Sequence, residues 1–246
     1  MKICAVQLAL SKGDVAANIA LHLRAIEQAA ALGAELLVFP ELSLTGYEPT
    51  LARQLAMPAD SPQLAPLQAA CDRFGVTAAV GLPMPIMAGV RIGMLVLRPK
   101  LAPLVYAKQR LHDDELDYFV PGSTSLVFAA GSHQVAPAIC YESMFLEHAA
   151  HAQAQGADLY LVSVVKTEEG IRAGAAHYPQ VARRLRMPVI MSNCVGPADQ
   201  YVGAGQSAAW DAEGNLLACL GDAAPGLVLL DTATGTAQAG PLELCA

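Results

Sequence analysis

Residues 135–143 read Val135-Ala136-Pro137-Ala138-Ile139-Cys140-Tyr141-Glu142-Ser143, and Met144 to Gln155 continues with helical spacing. The five apolar residues form a buried strand, which a cysteine closes where the helical pattern begins. At such a strand-to-helix turn a nucleophile projects into a cleft. The amides and dipole at the start of the helix favour the thiolate, which is the attacking species. The rest of the chain must then supply buried strands, covering helices and chemical partners for Cys140.

Outward from Cys140, strand and helix signals alternate. Met1 to Leu8 reads as a first strand. Asp14 caps a helix to about Leu32, with Ile19, Leu23, Ile26 and Ala30 on one face and Gly33 ending it. Glu35 to Phe39 is the next strand. Ser61-Pro62 caps a helix running to Phe74, Gly75 stops it, and Val76 to Gly81 is a strand. Ile92 to Leu97 and Leu104 to Ala107 form a hairpin. Ala157 to Val165 is a long, mostly apolar run, fit for a buried strand. Ala173 to Arg186 is helical, with Pro179 expected to break it or start a turn. Short strands follow at Met187–Cys194, Gln206–Trp210, Asn215–Leu220 and Gly226–Asp231, with a hairpin turn at Asp211–Asn215. Strand–helix units joined to strand-rich hairpins predict a layered α/β sandwich with buried sheets and outer helices. No linker or repeat interrupts the pattern, so residues 1–246 are read as a single domain.

Composition narrows the function. The 246 residues are 54% hydrophobic and 15% charged, enough to fill a large core. A net charge of −7 without a basic run argues against nucleic acid as a partner. No apolar stretch reaches the length of a membrane span, and the N-terminus lacks the features of a signal peptide. A cytoplasmic, reducing setting with no membrane association is expected. Six cysteines, at 4, 71, 140, 194, 219 and 245, include no CxxC pair and suggest neither a disulfide framework nor a zinc site. Cys71, on a helical face with Leu64, Leu67 and Phe74, reads as a small core residue, and so do Cys4 and Cys219 in apolar strands.

A thiol attacking a carbonyl or nitrile needs a base and an oxyanion stabiliser. His133 precedes the Cys140 strand, and His148 and His151 lie on the helix after it. None is obviously placed to face the sulfur, and the last two are read as solvated rather than as a metal pair. Glu41 sits just past the apolar strand 35–39, where functional groups of α/β sheets gather. Partly desolvated there, it could move protons near neutral pH. Lys108 ends the hairpin, where an ammonium could stabilise both a thiolate and an oxyanion, and Glu115 could orient it. Taken singly, Glu41 and Lys108 read better as surface charges, and Glu115 could be one acid of a solvated turn.

Taken together, Phe39-Pro40-Glu41, Tyr106-Ala107-Lys108 and Ile139-Cys140-Tyr141-Glu142 resemble the Glu-Lys-Cys signature of the nitrilase, or carbon–nitrogen hydrolase, superfamily. Ile3 to Gln7, Leu42 to Tyr47, Phe119 to Gly122, Ser192-Asn193 and Trp210 to Gly214 resemble further family segments, so the likeness covers nearly the whole chain. It implies a four-layer α-β-β-α sandwich, assembling as a homodimer or higher homo-oligomer. It also implies that Glu41 serves as base, Cys140 as nucleophile, Lys108 and the Tyr141 N–H as oxyanion donors, and Glu115 as the group orienting Lys108 or substrate. No metal or organic cofactor is implied. The expected reaction is hydrolysis of a small linear amide through a thioester. N-carbamoyl amides and nitriles are rivals that use the same trio. An acyltransferase, a non-catalytic binding protein and a cysteine–histidine hydrolase stand as further possibilities.

Two departures from the family pattern, Glu142 where an aspartate is common and Arg91-Ile92-Gly93 where an asparagine is common, touch substrate choice rather than chemistry. Lys166-Thr167-Glu168-Glu169 is unusually charged for a pocket wall. Lys166 either pairs with a substrate carboxylate or belongs to a solvated loop. Tyr47, Tyr118, Glu142, Thr167 and His177 are further candidate pocket residues.

Overall fold

The computed structural model describes residues 1–243, and Cys245 lies outside them. Among the described residues one sheet has nine strands: β1 (Lys2–Ala9), β2 (Leu36–Val38), β3 (Thr77–Ile86), β4 (Gly89–Arg98), β5 (Leu101–Ala107), β10 (Cys194–Ala198), β11 (Tyr201–Ala204), β14 (Gly226–Asp231) and β15 (Thr236–Pro241). The other has six: β6 (Phe128–Ala130), β7 (His133–Ile139), β8 (Leu159–Ser163), β9 (Val189–Ser192), β12 (Ala208–Trp210) and β13 (Leu216–Cys219). The central strands β1, β2 and β3 run parallel, as do β7, β8 and β9.

Period-two alternation builds the layers. Ile3, Ala5, Leu36 and Val38 face a core shared with Val135, Ile139, Leu159 and Leu161, so this core lies between the sheets. The intervening residues Cys4, Val6, Leu8 and Leu37 face outward against Ile19, Ile26, Leu64 and Leu67 of the α1 (Val15–Ala31) and α3 (Ala65–Phe74) side. On the second sheet, Ala136, Ala138, Tyr160 and Val162 pack under α4 (Leu146–Ala154) and α5 (Glu168–Leu185). The short α2 (Ala52–Leu55) lies in the connection before α3. The result is a four-layer α-β-β-α sandwich. Buried hydroxyls tie the two sheets together: Ser163 Oγ of β8 donates to the Phe39 carbonyl at 2.7 Å, and Ser192 Oγ of β9 donates to the Val6 carbonyl at 2.6 Å. Among the described residues no helix is long and apolar enough to cross a membrane.

Several local expectations are corrected. Helix α5 starts at Glu168, capped by Thr167, and runs unbroken through Pro179 to Leu185. An internal proline costs about 3 kcal/mol of helix propensity. Here tertiary packing outweighs it, because Ile171, Tyr178, Val181 and Ala182 are all buried along the helix. The buried stripe of α1 is Asn18, Ile19, His22, Ala25, Ile26 and Ala29, with Leu23 and Ala30 partly buried against the same core. Polar Asn18 and His22 are inside because each is hydrogen-bonded there. Ser61 makes no capping hydrogen bond. Cys219 is exposed, since β13 is the edge strand of its sheet. His148 is not solvated: its ring joins Tyr106 OH at 2.9 Å and Tyr160 OH at 2.8 Å.

Pro137 is tolerated inside β7 for a readable reason. The pairing of β7 with β6 ends at Val135. Ile139, two residues beyond Pro137 and so on the same side, sends its N–H to Glu142 rather than to a neighbouring strand. A residue without an N–H loses nothing there.

Candidate active site

The C-terminal ends of β2, β5, β7 and β8 converge on one cleft of about 420 Å³. Cys140 leaves β7 with φ +47° and opens a short turn, Cys140–Met144. Positive φ at a non-glycine residue is strained, a feature that clusters at functional turns. The turn is braced from behind. Ser143 Oγ donates to the Cys140 carbonyl at 2.6 Å and bonds Tyr178 OH at 2.9 Å. Glu142 Oε1 accepts from Ile139 N and Tyr106 OH, both at 2.7 Å. Its Oε2 accepts from Gln109 N at 2.6 Å, tying the cysteine turn to the segment after Lys108.

Glu41 enters from the other sheet. Its loop is fixed by Leu42 at φ +51° and by Ser43, whose Oγ accepts from Gly81 N at 3.2 Å and bonds His22 Nε2 at 2.9 Å. Burial lowers the His22 pKa to about 4, so the ring is neutral, with Nδ1 donating to the Asn18 carbonyl. The ring also stacks on Phe39, with centroids 4.1 Å apart. Lys108, fully buried, reaches Glu41 Oε1 at 2.8 Å and Glu115 Oε1 at 2.6 Å. Tyr47 OH donates to Glu115 Oε1 at 3.0 Å, and His112 N donates to Glu115 Oε2 at 2.8 Å.

These placements set the charges. Burial pushes Glu41 up to about 7, against the pull of Lys108. Its Oε2 is buried without a hydrogen-bond partner. Burial disfavours the Lys108 charge, but Glu41, Cys140 and Glu115 outweigh it and hold its pKa above the ordinary lysine range. Burial and Glu41 push the Cys140 thiol up to about 12, opposed by Lys166 and Lys108. The thiolate expected from the start of the helix is therefore not the resting state. The resting thiol donates weakly to the Val165 carbonyl at 3.5 Å. A carboxylate that titrates near neutrality, beside a neutral thiol, can take the proton as the sulfur attacks.

No histidine bonds the sulfur. His22, His112, His133, His148, His151 and His177 all have ring nitrogens on other partners. Tyr47, Tyr141, Lys166 and Thr167 line the cleft. Glu142, His177 and Tyr118 do not. Glu142 braces the cysteine turn, His177 Nε2 bonds the Ser143 carbonyl behind that turn, and Tyr118 is exposed. Lys166 is buried rather than part of a solvated loop.

The cleft also holds residues that sequence reasoning did not single out. Asp114 bridges His112 at 2.7 Å and Tyr201 OH at 2.6 Å, and Tyr201 arrives on β11 with no local signal of its role. Ser43, Ser163 and Asn193 act through buried hydrogen bonds, which polarity on an apolar strand end could have flagged. A larger groove of about 530 Å³, lined by Pro62, Gln68 and Lys100 among others, gathers no thiol or histidine.

Comparison with known proteins identifies the family and the fold. A model of the family described as carbon-nitrogen hydrolase matches residues 2–240, and the chain belongs to that family. Among solved structures, the NitN amidase from Nesterenkonia sp. AN1 superposes with a TM-score of 0.86 at 27% identity, covering 94% of this chain and 92% of that one. An alanine variant of that amidase in complex with butyramide gives 0.87 at 26% identity, covering 96% and 92%. Glutamine-dependent NAD(+) synthetase from Xylella fastidiosa is 31% identical over 230 residues, 88% of this chain and 41% of that protein. The chain thus spans about two fifths of the length of that curated relative.

Proposed function

We infer that the chain hydrolyses a small linear amide through a thioester on Cys140. The observation that carries this is a Glu41 whose buried Oε2 has no hydrogen-bond partner, in one cleft with the Cys140 thiol and with a Lys108 shared with Glu115. As Cys140 Sγ attacks the amide carbon, its proton passes to Glu41. The oxyanion is held by Lys108 Nζ and by the N–H of Tyr141, a first-turn amide that helix geometry leaves free. Collapse of the intermediate breaks the C–N bond, with the proton on Glu41 going to the leaving nitrogen, so ammonia departs. Glu41 next takes a proton from water as its oxygen attacks the thioester. The second collapse expels the sulfur, which regains the proton from Glu41, and releases the acid. Glu115, bound by Tyr47 and His112, keeps Lys108 charged and aimed throughout. N-carbamoyl amides and nitriles fit the same trio and remain the rival substrates.

The named relatives support two kinds of amide, a neutral aliphatic one such as butyramide and the side-chain amide of glutamine. The test is ammonia release from butyramide, glutamine, N-carbamoyl amino acids and aliphatic nitriles, with intact-mass detection of an acyl adduct. Cys140→Ala is expected to abolish both signals. Absence of ammonia and of any adduct with every substrate would sink the proposal.

A further inference from the structure

Lys166 is a mostly buried lysine whose ammonium has no anion. It follows β8, is 8% exposed, and lines the cleft with Cys140. Its charge is felt at the thiol, where it is the strongest influence opposing the rise in the Cys140 pKa. Yet among the described residues no carboxylate and no other acceptor holds its ammonium. The other charges of the cleft are satisfied: Lys108 lies between Glu41 and Glu115, and Asp114 is held by His112 and Tyr201. The stem is buried while the ammonium is presented to the cleft, where an anion entering with a ligand would pair with it.

The side chain is also aimed. Asn193 grips the Lys166 backbone on both sides, accepting from its N–H at 2.9 Å and donating to its carbonyl at 3.1 Å. Ala204 N donates to the same carbonyl at 2.9 Å. The lysine stem lies against Gly170, where a side-chain carbon would approach its Cβ and Cγ at 3.2 and 3.3 Å. Gly170 belongs to the first turn of α5, whose N-terminal dipole adds positive potential on the same wall.

We propose that Lys166 anchors a carboxylate of the substrate, so that the preferred substrate is an amide with a carboxylate a short chain away from the reacting carbonyl, such as the monoamide of a short dicarboxylic acid. This rests on the amidase reading and specifies its substrate class. The carboxylate completes the ion pair that the fold leaves open, and places the amide carbon at Cys140.

Butyramide and succinamate test this, since they differ by a methyl in place of a carboxylate. The wild-type protein is expected to favour succinamate. Lys166→Met keeps the packed stem and removes the charge. The succinamate-to-butyramide ratio of kcat/KM is then expected to fall on the order of 10- to 100-fold, carried mainly by KM. Calorimetric titration of succinamate into Cys140→Ala, and into the double variant Cys140→Ala/Lys166→Met, reads binding without turnover, and only the first is expected to bind. An unchanged ratio, or an equal kcat loss on both amides, assigns Lys166 to the sulfur and overturns the anchor while leaving the hydrolase standing. No ammonia from either amide overturns the anchor, and the hydrolase falls with it only if glutamine, N-carbamoyl amino acids and nitriles also give neither ammonia nor an adduct.

Discussion

Replacing Glu41 by glutamine is expected to raise heat resistance at alkaline pH while abolishing turnover. In the folded protein Glu41 titrates near 7 rather than at its ordinary 4.5. The folded state therefore binds this proton more tightly than the unfolded state. Its stabilising effect is fully present below 4.5 and is lost as pH rises to about 7. At about 1.4 kcal/mol per pH unit, the loss is ~3 kcal/mol. For a chain of 246 residues, about 2–4 °C per kcal/mol makes this ~6–12 °C in Tm. Glutamine has no such titration, and Lys108 keeps Glu115 at 2.6 Å. The variant-minus-wild-type difference in Tm should thus climb by that amount between pH 4.5 and 8, whatever its offset at the acid end. Differential scanning calorimetry across that range, at constant ionic strength, measures it. A difference that stays flat, or falls as pH rises, refutes the claim that burial holds this proton. A carboxylate kept for chemistry at a cost in stability is a familiar trade-off.

Glu142→Gln leaves one acceptor oxygen where Ile139 N, Tyr106 OH and Gln109 N now find two. At least one buried donor loses its partner, so stability should drop by about 1–3 kcal/mol in denaturant titration. Turnover should fall about tenfold in kcat with little change in KM, because the cysteine turn loosens while the pocket wall stays; an unchanged kcat would count against the brace. Gly81→Ala places a methyl 2.9 Å from the Pro40 carbonyl and against Leu42 N, and should displace the Glu41 loop, lowering both Tm and kcat. Gly221→Ala, with nothing within 4 Å, is the matched control; equal behaviour of the two variants contradicts the close approach.

Much of the chemistry was legible because it sits on strong local patterns. Glu41, Lys108 and Cys140 each follow an apolar strand, and the family resemblance joins them without any distance. The layered sandwich follows from strands apolar on both faces. Other features needed the third dimension. Pro179 reads as a breaker until Tyr178 and Val181 are seen buried around it. Glu142 reads as a pocket acid until its oxygens are seen on Ile139, Tyr106 and Gln109. Tyr118 is adjacent to catalytic segments in sequence, yet it points to solvent. Position on a turn suggests a thiolate at Cys140, but the depth of burial and the nearness of Glu41, neither visible in one dimension, reverse that expectation. His22 and Ser43 are 21 residues apart, and nothing local announces their bond.

The hydroxyl ties from Ser163 to Phe39 and from Ser192 to Val6 carry a consequence for how such a protein can diversify. Cys140 is mounted on one sheet, Glu41 and Lys108 on the other, so their alignment is inherited from how two slabs stack. Glu115 is part of that alignment through Lys108, but the side chains of Asp114 and Tyr201, which also line the cleft, bond to neither the trio nor the ties. They can change in composition without disturbing the proton path, which frees substrate preference to drift while the trio stays in place.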